Sequence, residues 1–335
     1  MPVQLRGKPV AAIRQFLYLR LTRPDLFRPS SVPGFRRAVD FYGLRGMFRA
    51  FARAFAAYHR SHGHYPDLVH PRTYTEKVVW QKFFTPMPVP QAGNKLLTGS
   101  FIPPDLPELT IVPIVYHAPE PRLPENDALA PGWYYLKSNY GSDMFRPVCY
   151  PLSAEDRAEL EGLAASWLKG SYGLQTGEWW YNTFPKEILL EPSISGPGAA
   201  AAWCFHVLDG KVASIVLVRK IGEETQVVRL APDFTVATHQ SDKRPRLQDY
   251  DDLGLKDELT RMALAVARPF GLIRVDLYVT DAREIYLGEV TFSPSNGLVR
   301  YPPEWDLAYG RMLRSIPSDP SATPAAPRDQ AALPA

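Results

Sequence analysis

The chain has 335 residues, of which 45% are hydrophobic and 22% charged, and its formal net charge is +3. Those proportions belong to a globular chain with a core, not to a disordered or collagen-like one, and two cysteines, Cys149 and Cys204, are too few for a disulfide framework. No stretch reaches the roughly 18 apolar residues of a membrane span, and the opening MPVQLRGKPVAAIRQFLYLRL breaks its apolar run at Arg14 and Arg20, so a cytoplasmic protein is expected.

The small net charge hides an asymmetry. Residues 1–60 hold twelve Arg or Lys against Asp25 and Asp40, a balance of +10, which leaves 26 basic and 33 acidic residues, or −7, for the remainder. A basic block of this kind suits an anionic partner: a membrane surface, an acidic polymer or nucleic acid.

In chain order, residues 1–85 read as helical. Phe41, Leu44, Phe48, Phe51, Phe55 and Tyr58 recur at helical steps on one face, with Arg45, Arg49 and Arg53 on a neighbouring stripe. Such a helix either packs its aromatics on the rest of the protein and leaves the arginines in water, or lies in the headgroup plane of an anionic membrane. His59, His62, His64 and His70 cluster without a cysteine or spaced carboxylate and read as a solvated loop.

Residues 86–315 are strand-rich. Ile111–His117, Trp133–Asn139, Ile188–Ile194, Trp203–Leu208, Val212–Arg219 and Thr225–Leu230 carry the β-branched and aromatic content of strands. Helices are expected over Ala154–Leu168 and Leu255–Phe270, the first opening with a capping-box-like Ser153 and Asp156. Trp179, Trp180 and Tyr181 either pack in the core or stack on a sugar or nucleobase. From residue 316 the chain is Pro- and Ala-rich, and a disordered tail is expected.

The stretch that carries chemistry is LIRVDLYVTDAREIYLGEVTF, residues 272–292. Its alternation predicts a hairpin turning at Asp281–Glu284, in which Asp276 faces Glu289, Arg274 faces Thr291, Tyr278 faces Leu287 and Thr280 faces Ile285. One face is then nearly all apolar, and the other opposes two carboxylates. Like charges opposed across a strand pair destabilise a sheet. A cation between them relieves this, and paired hard oxygen ligands suit Mg²⁺ bridging nucleotide phosphates. The alternative is a solvated hairpin face with its register off by one. Earlier, a strand delivers Lys137 to the polar turn Ser138-Asn139-Tyr140-Gly141-Ser142. A lysine there holds a phosphate by charge while loop amides cap its oxygens, although such segments are also ordinary hairpin corners. EILLEPSI, residues 187–194, is an apolar strand ending in Glu191 before Pro192.

Lysine with a small-residue loop, strand-Glu hinge, strands ending in Arg219-Lys220, then RVDLY and GEVTF: in this order the sequence resembles the ATP-grasp superfamily, and within it the TupA-like family of cell-surface polymer biosynthesis. The resemblance runs from TYTEKVVW at Thr73 through EWWY at Glu178, ILLEPSI and the hairpin to YPPEWDLAYG ending at Gly310. It implies an α+β chain: a helical basic N-terminal extension over 1–85, an ATP-grasp catalytic region over 86–315, and the tail over 316–335. ATP and Mg²⁺ are the implied cofactors. The resemblance assigns Lys137 to the α/β-phosphates, Gly141 and Ser142 to the phosphate lid, Glu191 to the adenine–ribose hinge, and Arg219 to the nucleotide-binding set. It makes Arg274 the phosphate-side catalytic residue and Asp276 and Glu289 the metal ligands. Three places depart from the family pattern. Thr291 stands where many ATP-grasp enzymes have Asn, and Asn296 in SPSNG is a candidate substitute. Asn94-Lys95 replaces an Asp-Lys pair, and AAAWCF around Trp203 replaces an Asp-Tyr-Lys run.

The implied activity is ATP-dependent joining of a carboxylate and an amine through an acyl phosphate, in cell-surface polysaccharide biosynthesis or modification. The expected partners are those substrates, a polysaccharide or lipid-linked precursor and the anionic face of a membrane touched peripherally; nucleic acid is not expected. The alternatives are a kinase acting on a sugar or other hydroxyl, and a non-catalytic protein that binds a membrane surface or polymer.

Overall fold

The computed structural model describes residues 10–196, 200–221, 224–239, 245–248, 250–251, 254–316 and 318. The tail expected from residue 316 lies outside these, apart from Ser318 and Ile316, whose side chain is buried. The elements begin with α1 (Val10–Thr22), β1 (Phe35–Arg36), α2 (Ala38–His62), α3 (Tyr74–Phe84) and β2 (Met87–Pro88). Next come β3 (Tyr116–Ala118), β4 (Gly132–Ser138), β5 (Phe145–Tyr150), α4 (Ala154–Lys169) and β6 (Ile188–Pro192). The chain continues through β7 (Ala201–Leu208), β8 (Lys211–Ile221), β9 (Glu224–Leu230), α5 (Lys256–Ala267), β10 (Leu272–Val279), β11 (Ile285–Thr291) and α6 (Pro303–Met312). The described residues divide into two compact units: those within 10–89, 173–179 and 293–318 form one, and those within 90–172 and 180–292 the other.

The first unit is helical, and α3 is its hub. Thr73 and Glu76 cap α3 reciprocally: the Thr73 hydroxyl accepts from the Glu76 amide, and the Glu76 carboxylate accepts from the Thr73 amide. Every residue of α3 is buried, including Lys77 and Lys82. A buried ammonium must find acceptors. Lys77 donates to the Gly310 and Leu313 carbonyls at 2.9 and 2.6 Å. Lys82 donates to Thr176 O at 3.1 Å and to Asn296 O and Oδ1 at 2.8 and 3.1 Å. These bonds tie two distant chain segments to α3. Burial lowers the Lys82 pKa to about 8, opposed by Glu178. The indole of Trp179 donates to Lys82 O at 2.9 Å, and both Trp179 and Trp180 are core residues.

In α2 the expected aromatic stripe holds only after a kink at Gly43, whose φ of 60° and ψ of 171° leave the helical region. Phe51, Phe55 and Tyr58 beyond it are fully buried, and Phe16 of α1 packs edge-on against Phe48 and Phe51 at 5.2 and 5.3 Å. Phe41 and Leu44, before and just after the kink, remain exposed, as do Arg45 and Arg49. The packing alternative for this helix is the observed one from Phe48 onward.

The second unit contains two sheets, ordered β3-β6-β4-β5 and β11-β10-β7-β8-β9, with every adjacent strand pair antiparallel. This is α+β rather than α/β architecture. In the first sheet Tyr134, Leu136, Val148, Tyr150, Ile188 and Leu190 face α4, which contributes Leu160, Ala164 and Trp167 to the same cluster. By alternation, Tyr135, Lys137 and Glu191 lie on the opposite face. In the second sheet α5 packs across β10, β7 and β8, and its buried Leu259, Met262 and Val266 meet the face that carries Val275, Leu277, Phe205 and Ile215. Arg274, Asp276 and Glu289 are on the other face.

Three local expectations change. Ile111–His117 shortens to β3, because Pro113 cannot donate to a ladder; the chain before it instead gives Thr110 O to the Leu287 amide at 2.7 Å. Phe145–Tyr150 is a strand with Pro147 inside it, at the sheet edge where a missing donor is tolerated. The hairpin pairs Arg274 with Thr291 and Asp276 with Glu289 as expected, then shifts at a bulge to Leu277–Leu287, Tyr278–Tyr286 and Val279–Ile285. The bulged residue is Gly288, where a Cβ would lie 2.5 Å from Tyr278 Cζ. The Tyr278 ring lies over the backbone there, and only glycine leaves room.

Candidate nucleotide and metal site

The two-residue spacing of Arg274 and Asp276 on β10 puts both side chains on one face, and Glu289 of β11 is directly opposite Asp276. Arg274 grips Asp276 with two bonds, Nε to Oδ1 at 2.7 Å and Nη2 to Oδ2 at 2.6 Å. Burial raises the Asp276 pKa, Arg274 opposes that rise, and Glu289 adds to it. Burial works to lower the Arg274 pKa, but Asp276 outweighs it and holds the guanidinium well above its usual value. Cys204, the Asp276 neighbour on β7, has its thiol pushed well up, first by burial and then by Asp276.

The Thr291 hydroxyl donates to Glu289 Oε1 at 3.1 Å, so this residue orients a carboxylate within its own strand. Asn296 Oδ1 accepts from Lys82, which engages the other candidate for that role. Arg274 takes one lone pair on each Asp276 oxygen, and the Cys204 thiol also bonds this carboxylate. Among the described residues no group of three or more His, Cys, Asp or Glu gathers as a metal cage. Two opposed carboxylates offer hard oxygen donors of the kind Mg²⁺ takes beside phosphate and water.

The first sheet contributes Lys137 and Glu191, which form an ion pair. Lys137 Nζ lies 5.9 Å from the ring centres of Tyr135, on its own strand, and of Tyr278, on the second sheet. The two sheets thus approach each other where Lys137 meets Tyr278, beside a small cleft lined in part by Lys95, Glu191, Tyr278 and Gly288. Lys95 links them. Its ammonium donates to Gly141 O at 2.7 Å. Burial lowers the Lys95 pKa, and the largest opposing charge is Glu289, with Lys137 reinforcing the drop and Glu191 resisting it. Sequence reasoning registered Lys95 only as part of a departure from a family pair. Its position depends on the Asn94 side chain capping Leu96 N and on its own amide bonding Asn139 O, contacts with no linear signature.

Gly141 has φ 75° and carries the carbonyl that Lys95 holds, with Ser142 exposed beside it. Arg219 is not brought to this cleft. On β8, Val216 pairs with Cys204 and shares the Asp276 face, so Arg219, three residues on, is exposed on the opposite one. Its neighbour Lys220 has the matching parity. His206, the β7 partner of Arg274, is buried on the cleft face, and burial, then Arg229 and Arg274, keep its pKa well below the usual value.

Two antiparallel sheets, each backed by a helix and presenting charged side chains to the space between, are the architecture of the ATP-grasp class. The family model described as TupA-like ATPgrasp matches residues 167–314, and over that segment the chain is similar to that family. No curated protein matches the chain. Among solved structures it is similar to the D-alanine–D-alanine ligase from Bacillus anthracis complexed with ATP, with 16% identity, 66% of this chain and 63% of that one covered, and a TM-score of 0.40. The D-cycloserine synthetase DcsG is 14% identical, with 67% and 70% covered and a TM-score of 0.35. The macrocyclase MdnC bound with precursor peptide MdnA, from Microcystis aeruginosa MRC, is 12% identical, with 68% and 62% covered and a TM-score of 0.33. The chain spans 57% and 63% of two D-alanine–D-alanine ligase structures from Bacillus anthracis.

Proposed function

We propose that the chain is an ATP-dependent carboxylate–amine ligase that works through an acyl phosphate, with an acceptor in a cell-surface polysaccharide or its lipid-linked precursor, in the cytoplasm. The observation that carries this reading is the Arg274–Asp276–Glu289 group on one sheet, with Lys137 and Glu191 on the other and Lys95 near both. In the reaction a substrate carboxylate oxygen bonds to the γ-phosphorus of ATP as the bond to ADP breaks. The amine then attacks the acyl carbon, loses a proton and expels phosphate. Lys137 exchanges Glu191 for phosphate oxygens, which frees Glu191 for the nucleoside. Lys95 adds positive charge near both sheets, and Arg274 meets the negative charge that develops on the reacting centre. Mg²⁺ held by Asp276 and Glu289 supplies neutralisation of the phosphoryl oxygens when bound. Asp276 keeps Arg274 charged and oriented, and Thr291 orients Glu289.

The test is hydroxylamine trapping with the full chain, ATP, Mg²⁺ and a panel of sugar and amino-acid carboxylates. A hydroxamate formed in step with ADP supports the reading. ADP formed with a phosphorylated alcohol and no hydroxamate makes the protein a kinase, and absence of nucleotide binding removes both.

A further inference from the structure

Helix α1 is apolar on two opposite faces. Ala12, Phe16 and Leu19 point inward, and Phe16 meets Phe27, Phe48 and Phe51 edge-on. The reverse side carries Val10, Leu17, Tyr18 and Leu21, exposed by 66, 54, 46 and 82%. These positions lie seven, eight and eleven residues after the first, the spacing of one helix face, and Arg14 shares it. A helix apolar all round is normally covered all round.

Charge identifies what covers this one. Residues 10–60 hold ten arginines against Asp25 and Asp40, a balance of +8. Asp25 is bonded twice by Arg23, and Asp40 accepts the Arg37 and Ser30 amides, so both acids are engaged. Arg14, Arg20, Arg28, Arg45 and Arg49 are exposed. A second copy of the chain would bring +8 against +8. Residues 319–335 offer little, since they contain one large apolar side chain, Leu333.

We propose that α1 docks the protein on an anionic lipid surface, its Val10–Leu17–Leu21 face entering the interface while Arg14 and Arg20 meet the headgroups. The helix is too short and too charged to cross a membrane, and no helix among the described residues qualifies. It lies in the plane, as amphipathic helices with flanking cations do. This assigns the contact to α1 and not to the α2 stripe, whose aromatics from Phe51 onward are already in the core. The proposal rests on unit one alone and does not depend on the ligase reading.

The test is co-sedimentation of the full chain with vesicles of phosphatidylglycerol mixed with phosphatidylcholine, and with phosphatidylcholine alone. Binding is expected only to the anionic vesicles and should fall as salt is raised. Leu17→Ser/Leu21→Ser should reduce the bound fraction about tenfold without lowering the melting temperature, since both side chains are in water. Arg14→Gln/Arg20→Gln should reduce it too, and Arg45→Gln/Arg49→Gln less. Equal binding to neutral vesicles, no binding at low salt, or full binding by the leucine variant would overturn the proposal. So would a dimer of the wild type, seen by light scattering, that the leucine variant dissolves.

Discussion

Replacing Arg274 with Met removes both hydrogen bonds that hold Asp276, at 2.7 and 2.6 Å, and leaves a buried carboxylate beside Glu289 and Cys204. Two charge-assisted bonds at about 1.5–3 kcal/mol each agree with the roughly 3–5 kcal/mol typical of breaking a buried pair from one side. The Arg274 side chain is 23% exposed against 8% for Asp276, so water reaches the vacated side. The lower end, about 3 kcal/mol, is therefore expected. The loss should depend on pH. Asp276 already has a raised folded pKa, and without Arg274 it rises further. The folded state then binds a proton more readily than the unfolded chain, so stability increases as pH falls through that folded pKa, and the deficit seen at neutral pH shrinks in mild acid. Urea unfolding of the wild type, Arg274→Met and Arg274→Met/Asp276→Asn at both pH values reads this directly. The double variant should recover most of the loss, because removing both partners leaves no stranded charge. A single variant within about 0.5 kcal/mol of wild type at neutral pH, or a double variant no better than the single, would refute the buried-pair argument.

Gly288→Ala should cost about 1–3 kcal/mol by overpacking, since its Cβ would lie 2.5, 2.6 and 2.8 Å from Tyr278 ring atoms; Tyr278→Leu in the same chain should recover part of the lost melting temperature. Lys137→Met should weaken Mg·ATP binding by about tenfold or more in calorimetry, the value of one charge-assisted phosphate contact. An unchanged affinity would separate Lys137 from the nucleotide. For Lys82, whose folded pKa of about 8 lies below the ordinary lysine value of 10.5, the folded state holds the proton less tightly than the unfolded one. The stability of wild type relative to Lys82→Met should therefore rise with pH across that window, and a flat difference would contradict the burial assignment.

The parts legible in the sequence were those with a short period. Alternation in LIRVDLYV and IYLGEVTF fixed Asp276 opposite Glu289, and the bulge beyond it escaped because it depends on where the Tyr278 ring lies. Helix α4 was legible from Ser153, whose hydroxyl accepts from the Asp156 amide at 3.0 Å. Periodicity misled at Phe41 and Leu44, because Gly43 interrupts the helix between them. Arg219 was grouped by its place at a strand end, whereas its parity along β8 sets its face, and parity needs the register with β7. Lys95 was invisible as a site residue, since its neighbours Gly141, Glu191 and Glu289 come from three distant segments. The helical unit gathers residues 173–179 and 293–316 onto α3 through buried lysines, and no linear boundary shows that.

The central claim, a nucleotide site whose metal is held by Asp276 and Glu289, is tested most directly by thermal unfolding with ATP in Mg²⁺ and in EDTA. A ligand at about a hundredfold over its dissociation constant stabilises by roughly 2.7 kcal/mol, so the wild type should melt several degrees higher with Mg·ATP than with ATP and EDTA. Asp276→Asn and Glu289→Gln should each remain folded and lose that metal-dependent increment. The full Mg²⁺-dependent shift persisting in both variants, or no such shift in the wild type, would contradict the account.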